Sequence, residues 1–368
     1  MNPHDQFCPN PNCSARGQVG AGNIQVHSPK ERRYRCRECG QTFSESKGTA
    51  LYQVKKPREL FVLVTTLLAY GCPVQAVVAA FGLDERTVRA WWGRAGDHCQ
   101  AVHEAVIGKS QLDLEQVQAD EIKVKTQQGT VWMAMAMMVR TRLWLGGVVS
   151  PQRDLALIVA LVACIRAIAM CRPLLLAVDG LSSYVRAFQD SFRSPLPRRT
   201  CGRPRLVAWR DIAIVQVVKH RAAELDIERR IVQGCPTLVA RLVQVSQGVG
   251  GINTAFIERL NATFRQRLAC LTRRSRALAR SPQTLLPIMF LVGTVYNFCT
   301  FHQSLRLPLL IGSHGHRHWV QRTPALAAGL TDHRWSVLEL LTFKIPPPPW
   351  VPPKRRGRPP KSVLAAAL

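Results

Sequence analysis

Acidic residues are the scarce class in this chain. Fifty lysines and arginines stand against 23 aspartates and glutamates, a formal charge of +27. That excess is larger than ordinary solubility needs, and it points to nucleic acid or an anionic surface as partner. Lysine is scarce as well, because 39 of the 50 cations are arginine. Guanidinium forks grip phosphate oxygens in pairs, so the bias favours nucleic acid. Long hydrophobic runs are missing. The most apolar stretch, Leu155 to Met170, follows Asp154 and is broken by Arg166. It falls short of the roughly 20 residues of a membrane helix and reads as a buried core helix. The opening Met1-Asn-Pro-His-Asp5 lacks the blocks of a signal peptide, so a cytoplasmic, nucleoid-associated protein with no membrane partner is expected. Internal repeats are absent. Eight of the twelve cysteines are scattered without paired spacing. This argues against a disulfide framework and for a reducing compartment with one clustered metal site.

The other four cysteines are paired. Cys8 and Cys13, then Cys36 and Cys39 within Tyr34-Arg-Cys-Arg-Glu-Cys-Gly-Gln-Thr-Phe43, can sit on two knuckles and offer four thiolates to one structural Zn²⁺. Pro9, Pro11 and Gly40 supply the turn chemistry. The competing reading is two unrelated cysteine pairs. A zinc ribbon over 1–48 is expected to unfold without its metal.

Apolar periodicity then predicts a helix from Arg58 to Tyr70, broken by Gly71-Cys-Pro73, and a second from Val74 to Phe81 that ends at Gly82. A third begins after Asp84, a candidate N-cap, and carries Arg86, Arg89 and Arg94. Three helices with a glycine turn before the last predict a helix-turn-helix over 49–108, with those arginines facing DNA. An ordinary small helical bundle is the alternative.

From 117 to 180 the pattern changes to strands Val117 to Val124, Thr130 to Val139 and Leu143 to Val149, a helix over 154–171, and a strand Leu174 to Val178. This is a meander followed by a crossover, hence a mixed α/β sheet. Ser182 to Phe192 reads as helix, Arg193 to Pro204 as a loop, and Ile212 to Val218 and Ile227 to Val232 as strands. Gly248-Val-Gly-Gly251 is a break before a helix near Thr254, and Pro282 to Phe298 forms another.

Three carboxylates stand out against the cationic background. Asp120 lies in Gln118-Ala-Asp-Glu-Ile122, and Asp179 closes the apolar run Leu174 to Val178. Glu258 is the one acid among thirteen arginines between Arg229 and Thr331. Strand alternation turns only one of Asp120 and Glu121 inward. Glu258, Asn261 and Arg265 fall on one helix face, and Phe256, Leu260 and Phe264 on the other, so the first three are expected to face a crevice away from the core. Three carboxylates around two Mg²⁺ (or Mn²⁺) ions would clamp the attacking and leaving oxygens of a phosphodiester. Arg259, Arg265 and Arg267, with Asn261, would hold DNA. For each acid taken alone, a turn, cap or salt-bridge role competes.

In this order, Gln-Ala-Asp-Glu-Ile, Ala177-Val-Asp-Gly180, Asn253-Thr-Ala-Phe-Ile-Glu-Arg-Leu-Asn-Ala-Thr-Phe-Arg-Gln-Arg267 and Tyr296-Asn-Phe-Cys-Thr-Phe-His-Gln-Ser-Leu-Arg306 resemble the DDE transposases of bacterial insertion sequences. The resemblance covers roughly residues 5 to 308. It implies an RNase H-like catalytic domain over 112–308 with Asp120, Asp179 and Glu258 as metal ligands. It also implies cleavage and transfer of double-stranded DNA at element ends, by a homo-oligomer assembled on the DNA. The 309–368 extension holds a polyproline II spacer, Ile345 to Pro353, and Lys354-Arg-Arg-Gly-Arg-Pro-Pro-Lys361. The latter resembles an AT-hook, whose Arg356 and Arg358 would enter a narrow minor groove. A plain solvated basic tail is the alternative. The rival to the enzyme is a DNA-binding regulator or transposase remnant without catalysis; acids on a DNA-facing surface argue against it, since each repels phosphate unless a cation intervenes.

Overall fold

A computed structural model describes residues 1–196, 204–221, 225–272, 277–309 and 318–352. Arg356 and Arg358 of the basic tail lie outside the described residues. The chain divides into two compact units, one of Met1–Gln53 with Lys344–Leu368, the other of Val54–Phe343.

In the first unit β1 (Ile24–Ser28), β2 (Arg33–Cys36) and β3 (Thr42–Ser44) form an antiparallel sheet in that order. Its core is small: Ala15, Ile24, Tyr34 and Phe43 pack around the cysteines. Gly40, at φ 69°, makes the left-handed turn after Cys39 and donates its N–H to the Cys36 carbonyl at 2.9 Å.

The second unit opens with α1 (Arg58–Ala69), α2 (Val74–Phe81) and α3 (Glu85–Val106). Gly82 closes α2 in the left-handed conformation, and the Asp84 carboxylate caps α3 by accepting from the Arg86 N–H at 2.8 Å. Then follow β4 (Gln116–Thr126), β5 (Gly129–Met138), β6 (Trp144–Ser150), α4 (Leu155–Ile168), β7 (Leu174–Val178), α5 (Ser182–Ser191) and a short hairpin of β8 (Arg193–Pro195) and β9 (Leu206–Ala208). This hairpin stands where a plain loop was expected. β10 (Ile212–Arg221), β11 (Leu225–Gln233), α6 (Pro236–Gln247), α7 (Ala255–Arg267) and α8 (Pro282–Phe298) continue the chain. Last come the hairpin of β12 (Leu307–Leu309) and β13 (His318–Val320) and the short helices α9 (Pro324–Ala327) and α10 (Val337–Thr342).

The fold is α/β, and its centre is a mixed six-stranded sheet in the order β11-β10-β7-β4-β5-β6. β4, β5 and β6 form the antiparallel meander, while β7 runs parallel to both β4 and β10. Helices α4 and α5 pack together, with α4 against β5 and β6; α6, α7 and α8 pack against β7, β4, β5 and β6. Ile122, Val124, Met133, Met135 and Trp144 from the sheet meet Ile257, Leu260, Phe264 and Met289 from α7 and α8. α8 begins a stretch, Pro282–Leu305, long and apolar enough to cross a membrane by length and composition alone, but 72% of its most apolar window is buried here.

Candidate metal and nucleic-acid site

Two side-chain clusters in the described residues have metal-ligand chemistry. In the first unit the Cys8, Cys13, Cys36 and Cys39 sulfurs all lie within 4.8 Å of one another. Cys8 and Cys39 are 3.6 Å apart, Cys13 and Cys36 3.8 Å. Four thiolates about 2.3 Å from a tetrahedral zinc would stand about 3.8 Å apart, so the donor set fits that ion. All eleven described cysteines are free of disulfides.

The second cluster is built on β4. Alternation along this strand puts Gln116, Gln118 and Asp120 on the face that carries α6 and α7. Gln116 Oε1 accepts from Ser246 Oγ at 2.6 Å and from Gln247 Nε2 at 2.8 Å, both on α6. Buried Gln118 donates to the Asn253 carbonyl at 2.7 Å and accepts from the Ile257 N–H at 3.0 Å. The cap residue Thr254 makes no side-chain cap bond, so a strand residue satisfies an orphan first-turn donor of α7. Asp120 completes the series, its Oδ2 accepting from Asn261 Nδ2 at 2.7 Å. Gln116 thus fastens α6, and Gln118 and Asp120 fasten the Glu258 helix, to the strand that bears Asp120.

Pairing of β4 with β7 stops at Gln118↔Ala177, and β7 itself ends at Val178. Asp179 therefore emerges beside residues 120 and 121 with no strand between. Carboxylate oxygens of Asp120, Glu121 and Asp179 all lie within 4.8 Å of one another. The expectation that only one of Asp120 and Glu121 turns inward is met for their backbones but not for their carboxylates. Asp120 curls back to accept from the Glu121 N–H at 2.8 Å, and Glu121, from the opposite face, reaches the same strand end.

Charge in the cluster is poorly compensated. Burial, then the charges of Glu121, Asp179 and Glu258, push the Asp120 carboxyl up to about 7. Burial and the Asp179 charge also raise Glu121, with Arg153 opposing them. The Arg153 guanidinium bridges Glu121 Oε2 at 3.0 Å and Asp179 Oδ2 at 3.1 Å and lies over the Trp132 ring. The buried Tyr184 hydroxyl faces Glu121, and its hydrogen bond to that carboxyl also opposes the rise. Three carboxylates within 4.8 Å of one another, two of them sharing one arginine, fit a hard divalent cation, which takes oxygen ligands at 2.0–2.6 Å.

Glu258 stands outside this cluster. Its Oε1 is held by Lys219 of β10 and by Thr254 Oγ1 at 2.7 Å. Partial burial would raise its carboxyl, but the bonds from Lys219 and Thr254 outweigh that and hold it below the usual range. Its charge still acts on Asp120.

The placement of α7 corrects the expected helix faces. Ile257, Leu260, Asn261 and Phe264 are the buried positions, whereas Phe256 is only half-buried against Arg142. Asn261 is 1% exposed and committed to Asp120, so it faces the sheet and not DNA. An asparagine on an apolar stripe is tolerated because the amide finds a carboxylate partner across the interface. Of the α7 arginines, Arg259 is exposed, and Arg265 and Arg267 are half-buried, each with one buried nitrogen unpartnered. Arg86, Arg89 and Arg94 are exposed on α3, with Arg89 paired to Glu85 at 2.6 Å.

Sequence reasoning did not assign Glu121, and it missed Arg153, Lys219, Tyr184 and Gln118. Only the glutamines left a signal: two polar residues alternating along a central strand need buried partners. No family model matches the chain, and no curated protein does.

Proposed function

We propose that this protein is a DNA transposase of the DDE type, which binds element ends, cuts DNA and joins the freed end to a target. The observation that carries this reading is the convergence of Asp120, within β4, and Asp179, just beyond the end of the adjacent parallel β7, with the Glu258 helix pinned to β4 through Asn261. Asp120, Asp179 and Glu258 would hold Mg²⁺ or Mn²⁺. A divalent pair at such a site activates water and stabilises charge on the attacking and leaving oxygens. Glu258 would serve such a pair from outside the Asp120–Asp179 cluster, once Lys219 released it. Asn261 orients the Asp120 carboxylate. Arg153 and Lys219 compensate the carboxylates and would move aside for metal.

Arg259, Arg265 and Arg267 beside the acids, and Arg86, Arg89 and Arg94 on α3, would bind the double-stranded DNA backbone, with salt-sensitive affinity. The α1–α3 segment then acts as the helix-turn-helix, the four cysteines hold zinc, and the six-stranded sheet is the RNase H-like core. A cytoplasmic homo-oligomer assembled on DNA completes the reading.

The test is strand transfer with Mn²⁺ on DNA carrying the inverted repeats that flank the gene. Asp120→Asn, Asp179→Asn and Glu258→Gln should each lower the rate at least about 100-fold while retaining DNA affinity. Wild-type rates in Glu258→Gln would remove that residue from the site. Cleavage without joining would make the protein a nuclease.

A further inference from the structure

On α7, one residue beyond Glu258, begins a cavity of about 630 Å³. Arg259 and Arg267 of α7, His302 and Arg306 of the segment after α8, and Trp319 of β13 are among its lining residues. Among the described residues, no aspartate or glutamate lines it. The nearest acid in sequence, Glu258, is already held by Lys219 and Thr254. One Arg267 nitrogen is buried without a partner, while the guanidinium lies 4.6 Å from the Tyr70 ring. Burial and the Arg142 and Arg259 charges push His302 down to about 4, so the cavity already resists another positive charge. An anion is what this electrostatic field lacks.

The cavity is too large for a phosphate group alone and has aromatic walls. Trp319 and Phe301 are 40% and 39% exposed, each with one face stacked by an arginine, Arg306 at 3.9 Å and Arg334 at 4.4 Å. Guanidiniums beside exposed aromatic rings bind nucleic acid through phosphate and base together, and this needs a base released from its pair. A volume of this size is that of a small-molecule site, not of a duplex groove.

We infer that this cavity receives a single unpaired nucleotide, its phosphate on Arg259 and Arg267 and its base against Trp319. The inference rests on the reading of the protein as acting on DNA.

The experiment uses the full chain in buffer without added Mg²⁺ or Mn²⁺, with duplexes that carry one bulged 2-aminopurine nucleotide or none. The bulged duplex should bind about tenfold more tightly, with the fluorescence change of a stacked base. Trp319→Ala should abolish that preference and leave paired-duplex affinity unchanged; Trp319 lies on a short exposed hairpin, and circular dichroism checks that the variant is folded. Equal affinity for the two duplexes, or an equal loss on both in Trp319→Ala, would overturn the inference. Strand transfer separates the two readings. Bulge preference without strand transfer sinks the enzyme and keeps the cavity, whereas strand transfer without bulge preference sinks only the cavity.

Discussion

Glu121 is the carboxylate for which the fold makes the least provision. Its side chain is 1% exposed, and Arg153 is the cation that reaches it. Removing one partner of a buried ion pair leaves an uncompensated charge, which costs about 3–5 kcal/mol. Arg153 keeps a third of its surface in water, so the low end of that range applies. Arg153→Ala should therefore unfold at lower urea, by about 3 kcal/mol, and Mn²⁺ should restore more stability to the variant than it adds to wild type. The reason is that the ion would take over the compensation Arg153 provides. Equal urea midpoints without metal would mean that Glu121 is protonated and needs no partner. The same residue illustrates a limit of pattern reasoning. Alternation correctly placed the Cβ atoms of Asp120 and Glu121 on opposite faces, but where the neighbouring β7 ends a carboxylate on the far face can reach round β4.

At the scale of elements, α3 runs past Arg94 to Val106, and its second half docks on the sheet and α8. Gly96 permits this, because a Cβ there would stand 2.2 Å from the Pro287 carbonyl. Further along, His103 packs against Trp144 and Phe290, with Nε2 3.2 Å from the Leu145 carbonyl. Burial lowers His103 to about 4, against the backbone bond, which favours the charged ring. The unfolded ring takes a proton near pH 6.5, so the folded state is fully favoured above that value and loses ground as pH falls towards 4. Between pH 7.5 and 5 the cost is about 2 kcal/mol. Urea melts at both pH values should show a smaller loss for His103→Phe than for wild type; equal losses would mean the ring charges without penalty in the fold. The strands of the meander, β7, α2 and α8 were legible to within a residue or two, since each is an apolar run bounded by turn or breaker residues. α6, Pro236–Gln247, was not assigned, although proline opens it and Val239, Leu242, Val243 and Ser246 recur at helical spacing. Arg153 and Lys219 could not be found at all. Each meets its carboxylate across more than 25 residues, a proximity that only the sheet order creates.

The whole molecule sets two kinds of stability side by side. Val54–Phe343 buries a six-stranded sheet between helices, whereas Met1–Gln53 packs little beyond four cysteines and a handful of apolar side chains. A core that small contributes little folding energy of its own, so the four-thiolate site must supply it if it holds zinc. Metal binding free energy then becomes folding free energy for that unit alone. Treatment of the full chain with a strong chelator should raise amide hydrogen exchange throughout residues 1–53 and leave the strands of the central sheet protected. Cys36→Ser should reproduce the effect without chelator, and zinc analysis should return one equivalent for wild type and none for the variant. The acid cluster provides an internal contrast: Mg²⁺ withdrawal should leave exchange in residues 1–53 unchanged, because that unit contains none of its ligands. Protection of residues 1–53 that survives complete removal of zinc would show that the cysteine cluster is only an apolar core, and the four-sulfur geometry would then have no metal to explain.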